Sequence, residues 1–162
     1  MKITYPAFVA LITFVFIFQS CETDKTTDED IQLFNELSVS GYTYYQNGST
    51  LSAAGNSPHG SFKLRFNDIA QTVLDSLGEL PTGSSFPDGS IIVKEIYKNT
   101  NLDLYAIMKK DPSNGNANNA WVWAEYDPDG STVISLSTQG SSCVGCHSQT
   151  PNRDFTRTFD LH

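Results

Sequence analysis

Near the C-terminal end of the chain, Cys143, Cys146 and His147 form the sequence C-x-x-C-H. Two thiols at this spacing can add to the two vinyl groups of a porphyrin, and the adjoining imidazole can then reach the iron. This is the attachment pattern of a c-type haem, with His147 as an axial ligand. The same cysteines could instead make a dithiol redox pair or half of a zinc site. Zinc wants a second Cys or His pair, and no such pair occurs. A thioredoxin-like pair belongs early in the chain, between a strand and a helix. The expected cofactor is therefore one covalent haem c, bound by Cys143, Cys146 and His147.

The other end of the chain reads as an export signal. Lys2 opens a short positive segment, the apolar run Ala7 to Phe18 follows, and Gln19-Ser20-Cys21 closes it. That run is too short to span a bilayer and fits the core of a signal peptide. A Cys directly after a small residue at such a boundary resembles a bacterial lipobox. Residues 1–20 then form a lipoprotein signal peptide and Cys21 becomes the lipidated N-terminus; plain secretion with a nearby cut is the alternative. Two or more acyl chains anchor stably where one holds only marginally. The three cysteines are thus used up, one for lipid and two for haem, with none left for a disulfide. The expected location is the bacterial cell envelope, lipid-anchored, at the outer membrane facing the periplasm or the cell surface.

The formal net charge is −8, and one unit more negative without Lys2. A chain this acidic repels phosphates, so no nucleic-acid partner is expected. Five of the eighteen acidic residues fall between Glu22 and Asp30. Charge without apolar residues cannot drive collapse, which predicts a disordered tether there, either a spacer or a surface-export signal. Residues 21–40 read as the lipidated Cys, this tether and a short amphipathic helix with Ile31, Leu33, Phe34 and Leu37. Residues 41–162 read as a single haem domain.

Within that domain Asn67 can cap a helix running to Leu77, with Gly78 ending it. Phe86-Pro87-Asp88-Gly89 is a turn, and Ser90 to Lys98 follows as a strand rich in β-branched residues. Further strands are expected at Leu102 to Lys110, Trp121 to Tyr126 and Thr132 to Leu136, separated by short turns or a polar loop. Short turns between successive strands imply an antiparallel meander. The expected fold is mainly β (α+β), an antiparallel sheet with a few short helices and the haem attached after the last strand.

Lys94 is out of place in this pattern. Both faces of its strand are largely apolar, so its amine is expected to point into a buried or haem-facing environment, where desolvation favours the neutral, nucleophilic form. A snorkelling or acid-paired lysine is the plainer reading. Met108 could be a sixth iron ligand or a core methionine, and the core role is favoured. His59 could ligate iron but is expected in solvent or in a hydrogen bond. Arg65, Arg153 and Arg157 could hold haem propionates. Trp121 and Trp123 share a strand face and are expected in the core, at the haem edge or at an interface.

The run Phe86-Pro87-Asp88-Gly89-Ser90-Ile91-Ile92-Val93-Lys94-Glu95 is similar to a motif of the cytochrome P-460 family, which includes the β-sheet cytochromes c′-beta. Met108-Lys109-Lys110-Asp111, the segment Trp121 to Gly130, the C-x-x-C-H and Asp154-Phe155-Thr156 follow in the family's order. The resemblance covers roughly Ser57 to Phe159. It implies an antiparallel β fold, a homodimer and a five-coordinate haem with an open pocket. It also implies that Lys94 stands where some members cross-link a lysine to the porphyrin edge. Cross-linked members oxidise hydroxylamine, and others bind nitric oxide and similar gases. Active relatives place a carboxylate above the iron, but the aligned position here is at or near Ala106. Asp103 or Tyr105 could substitute after a small shift. The expected partners are a small-molecule ligand or substrate, a redox partner protein, the membrane through the lipid, and a second copy of the chain. A His/Met electron-transfer cytochrome and a haem gas sensor are the competing readings.

Overall fold

Apolar and polar residues alternate along 61–67, as a strand buried on one face requires, and Phe62, Leu64 and Phe66 point to one side of it. The computed structural model describes residues 1, 26–39, 41–54 and 57–161. Its elements, in order, are α1 (Asp28–Glu36), β1 (Tyr42–Tyr44), β2 (Leu51–Ser52), β3 (Ser61–Asn67), α2 (Asp68–Gln71), β4 (Ile91–Lys98), β5 (Asn101–Lys110), β6 (Trp121–Tyr126), β7 (Thr132–Ile134) and α3 (Val144–His147). The sheet runs β1-β3-β4-β5-β6-β7, with β2 also on β3. Every pairing is antiparallel, and β3 to β7 form a meander. The fold is mainly β (α+β), as expected. Residues 2–20, read above as a signal peptide, and the lipidation candidate Cys21 lie outside the described residues, as does His162.

The connections follow turn chemistry. Asn99, at φ 59°, takes the left-handed conformation in the two-residue link from β4 to β5. Between β6 and β7 the Gly130 amide donates to the Asp127 carbonyl at 2.9 Å, and the Asp129 carboxylate accepts from the Ser131 amide at 2.9 Å.

Three expectations need correction. The described part of the acidic stretch, residues 26–30, is structured: Thr27 and Asp30 form a capping box that opens α1. Asp30 is wholly buried and accepts from the Ser135 hydroxyl at 2.8 Å and the Leu136 amide at 2.9 Å. The helix expected to reach Leu77 stops at Gln71. Asn67 does cap it, accepting from the Ala70 amide at 3.0 Å. The Asp75 carboxylate then captures the amides of Leu77 and Glu79, offering the backbone a turn in place of helix. Finally, β7 ends at Ile134, because Ser135 caps a 3-10 turn over Leu136–Thr138.

The sheet buries both faces. On one, Ile91, Val93, Ile107, Val122, Ala124 and Tyr126 pack under Leu33 and Leu37 of α1. On the other, Phe62, Phe66, Ile92, Met108 and Trp123 form a second apolar layer. The candidate site residues stand on this second face.

Candidate functional site

Strand register assembles the floor of the site row by row. Phe66, Ile92, Met108 and Trp123 lie opposite one another in neighbouring strands, and so do Leu64, Lys94, Ala106, Glu125 and Ile134. Directly paired residues of antiparallel strands share a face. Above this face is a cavity of about 660 Å³ lined by both rows apart from Phe66, together with His59, Cys143, Cys146, His147, Thr156 and Arg157. That volume suits a cofactor-sized ligand. Lys94, Cys143, Cys146 and His147, singled out in the sequence, are therefore all brought to one cavity.

The C-x-x-C-H segment curls into α3. The Cys143 carbonyl accepts from the amides of Cys146 and His147, each at 3.1 Å. This one turn presents both thiols and the imidazole together. Neither cysteine is in a disulfide. His147 Nδ1–H donates to the Phe155 carbonyl at 2.8 Å, which leaves Nε2 as the free ring nitrogen, the tautomer of a metal-ligating histidine. The Trp123 ring stands edge-on to the imidazole at 4.9 Å. Burial pushes the His147 pKa down to about 4, so the imidazole is neutral and able to ligate at physiological pH. Burial also pushes the Cys143 thiol up.

Gly140 shapes the approach to this turn. Its φ is +62°, and a Cβ there would run into the Trp123 indole. The segment after α3 is anchored by Asp154, which accepts from the Phe86 amide at 2.8 Å and from Lys110 Nζ at 2.8 Å. Asp154 thus ties the Phe-Pro-Asp-Gly turn and β5 to the residues that orient His147.

Lys94 carries no ion pair among the described residues. Its ammonium lies 4.1 Å from the centre of the Phe62 ring, and desolvation by burial pushes its pKa down to about 8. The strand pattern favoured a snorkelling or acid-paired lysine; Lys94 instead lines the cavity without an acid partner among the described residues. Ala106, its cross-strand neighbour, supplies no acid. Tyr105 cannot substitute, because it lies on the opposite face against Phe34 of α1. Asp103 is exposed at the cavity rim. The enclosed carboxylate is Glu125, opposite Ala106 on β6, and burial pushes its pKa up. Sequence reading missed it, although alternation from Trp121 and Trp123 puts Glu125 on their face.

Of the three arginines considered for propionates, two are engaged elsewhere. Arg65 pairs with Glu95 at 3.0 Å on the far face, and Arg153 with Glu79 and Asp160. Arg157 lines the cavity, with its Nε buried and without a hydrogen-bond partner, as is Thr156 Oγ1. Buried donors left open toward a cavity fit a ligand that carries carboxylates. His59, expected as an iron ligand or, as favoured, in solvent or a hydrogen bond, is half-buried and lines the cavity. Met108 is 8% exposed and both packs in the core and lines the floor. Trp121 is fully buried against Phe86, in the core.

The residues present fit a haem: paired thiols and a neutral imidazole on one turn, an apolar floor, and unfilled donors at the edge. An antiparallel sheet flooring such a cavity defines a β-sheet cytochrome. The family model for Cytochrome P460 matches residues 44–158, and the chain belongs to that family. Its members are haem cytochromes, and the match leaves α1 outside. No curated protein matches the chain.

Proposed function

We propose that this is an exported, lipid-anchored mono-haem c-type cytochrome that binds or oxidises small nitrogen species such as nitric oxide and hydroxylamine. Cys143 and Cys146 hold the porphyrin as thioethers, and His147 is the firm axial ligand. Arg157 and Thr156 take propionate oxygens, and Lys94 is the residue placed to cross-link the porphyrin edge. When bound, the haem would supply a redox-active iron able to take a small ligand.

The observation that carries this reading is the row Lys94–Ala106–Glu125 beneath the cavity that the C-x-x-C-H turn enters. Hydroxylamine loses protons with its electrons, so its oxidation needs a base inside the pocket. Glu125 is that base, and a carboxylate raised toward neutral pH accepts protons more effectively than an exposed one. Ala106 beside it leaves space for a small substrate. The electrons leave to a redox partner protein. The apolar run before Cys21 supports export and anchoring in the cell envelope, and assembly as a homodimer is carried by the family resemblance.

The test is expression of the full chain in a host with haem-maturation machinery. Denatured protein that keeps its haem, and a peptide mass with haem on Cys143 and Cys146, support the attachment. Reduction of an artificial electron acceptor by hydroxylamine supports oxidation. Nitric oxide binding without such turnover leaves the gas-binding form of the reading. Colourless protein overturns it.

A further inference from the structure

Besides His147, one other described imidazole lines the cavity. His59 follows Pro58 in the turn that leads into β3. Its ring stands 6.3 Å from that of His147, centre to centre, with the planes at 78°. The backbone around it is tied down: the Gly60 carbonyl accepts from the Ala53 amide at 2.8 Å, and the His59 amide donates to Ser57 Oγ at 3.3 Å. The ring itself makes no hydrogen bond to any described residue. Two metal–nitrogen bonds of about 2 Å each, together with the two ring radii, span roughly the separation these rings already have.

We infer that His59 is an exchangeable second axial ligand, occupying the iron face opposite His147 at rest and yielding it to a small nitrogen ligand. This assignment rests on the reading that His147 holds a haem iron. The ring is half-buried at the cavity and its nitrogens are not taken up by any described residue, so they are free to bond a ligand in the cavity. Exchange needs only rotation of the side chain: the backbone stays in place while the neighbours Ser57, Pro58 and Gly60 are exposed, so little packing opposes movement of the ring. The competing ligand, Met108, is fixed within the core of β5. The five-coordinate, ligand-accepting state is then the one from which His59 has withdrawn.

The experiment is electron paramagnetic resonance and optical spectroscopy of the haem-loaded full-length protein. The ferric wild type is expected to show a low-spin bis-imidazole signal, which requires no variant to read. His59→Ala is expected to convert it to high spin and to speed nitric oxide association with the ferrous protein at least tenfold. Free imidazole is expected to restore the low-spin signal. His59→Gln, which keeps a polar side chain of similar reach, provides the same readout if the alanine variant folds poorly. Coloured protein that is wholly high-spin, and that His59→Ala leaves unchanged, overturns the assignment of His59 alone. So does a low-spin signal that survives His59→Ala and is lost in Met108→Leu. Colourless protein overturns the haem reading together with this one.

Discussion

The Nδ1–H of His147 donates to the Phe155 carbonyl at 2.8 Å, and Phe155 itself has a φ of 67°. An aromatic residue in the left-handed region is strained by about 1–3 kcal/mol and persists only where surrounding contacts over-determine it. Those contacts are on hand. The Asn152 side-chain oxygen accepts from the Phe155 amide at 3.1 Å, and Asp154 is anchored from three directions by Phe86, Lys110 and Trp121. The strained carbonyl fixes the tautomer and direction of the imidazole.

Breaking that anchor is expected to be costly. Asp154→Ala leaves the Lys110 ammonium buried without its partner, and loss of one member of such a pair costs about 3–5 kcal/mol. The urea midpoint is expected to fall accordingly, with a spread of haem spectral forms as His147 loses its fixed orientation. An unchanged midpoint would show that the Phe86 turn and β5 hold the tail without Asp154.

Removing the proposed proton acceptor, Glu125, is expected to separate binding from turnover. Glu125→Gln keeps the shape of the side chain but not its basicity, and general-base catalysis typically contributes about 10²–10⁴-fold. Hydroxylamine oxidation by this variant is expected to fall by about that factor, while its nitric oxide affinity stays close to wild type. Equal turnover in both proteins would pass the role of base to another group.

The buried lysine gives the haem-free chain a distinctive pH dependence. Lys94 titrates at about 8 in the folded chain against 10.5 as a free side chain. Between these values the unfolded chain holds the proton and the folded chain does not. Stability therefore rises as pH climbs from about 8 to 10.5, by up to about 3 kcal/mol. Below pH 8 both states are protonated, and the cost of burying the charge is present in full. Lys94→Met is expected to be the more stable protein at pH 7 and to lose this slope, as read by urea unfolding at pH 7 and pH 10. Identical slopes in the two haem-free proteins would assign the dependence elsewhere.

α1 belongs to the folded unit even though it precedes the family match. Asp30→Ala removes acceptors from Ser135 and the Leu136 amide, and hydrogen bonds to a charged group contribute about 1.5–3 kcal/mol each. A drop of about that size is the expected result of thermal or urea unfolding. A neutral Asp30→Ala would mean that α1 is held by Leu33 and Leu37 alone.

Gly140 is expected to tolerate no side chain. Gly140→Ala drives a Cβ into the Trp123 indole at a positive φ, and overpacking of this kind costs about 1–3 kcal/mol. Because Trp123 packs against His147, the haem spectrum is expected to shift along with the unfolding midpoint. A variant matching wild type in both would show that the indole has room to move.

What the sequence determined by itself is the chemistry that sits in contiguous residues. The C-x-x-C-H turn carries its meaning within five positions, and Lys94 stands out because its own strand is apolar on both sides. β4, β5 and β6 were legible because alternation and turn residues are local signals. β3 carried the same signal in Phe62, Leu64 and Phe66, and its alternation was open to the same reading. The capping box of Thr27 and Asp30 likewise lay hidden in a run that reads as mere charge.

Tertiary structure decided which distant residues meet. Lys94, Ala106 and Glu125 form one row only through the register of three strands, and a slip by one residue would turn Glu125 to the face covered by α1. Arg157 was distinguished from Arg65 and Arg153 by which carboxylates folding brought to the other two. His59 reaches His147 across 88 positions of the chain, as read from their numbers. The physical reason is common to all of these. Side-chain chemistry and strand periodicity are properties of neighbours in sequence, whereas a pocket is made by burial and pairing between segments whose separation no local pattern records.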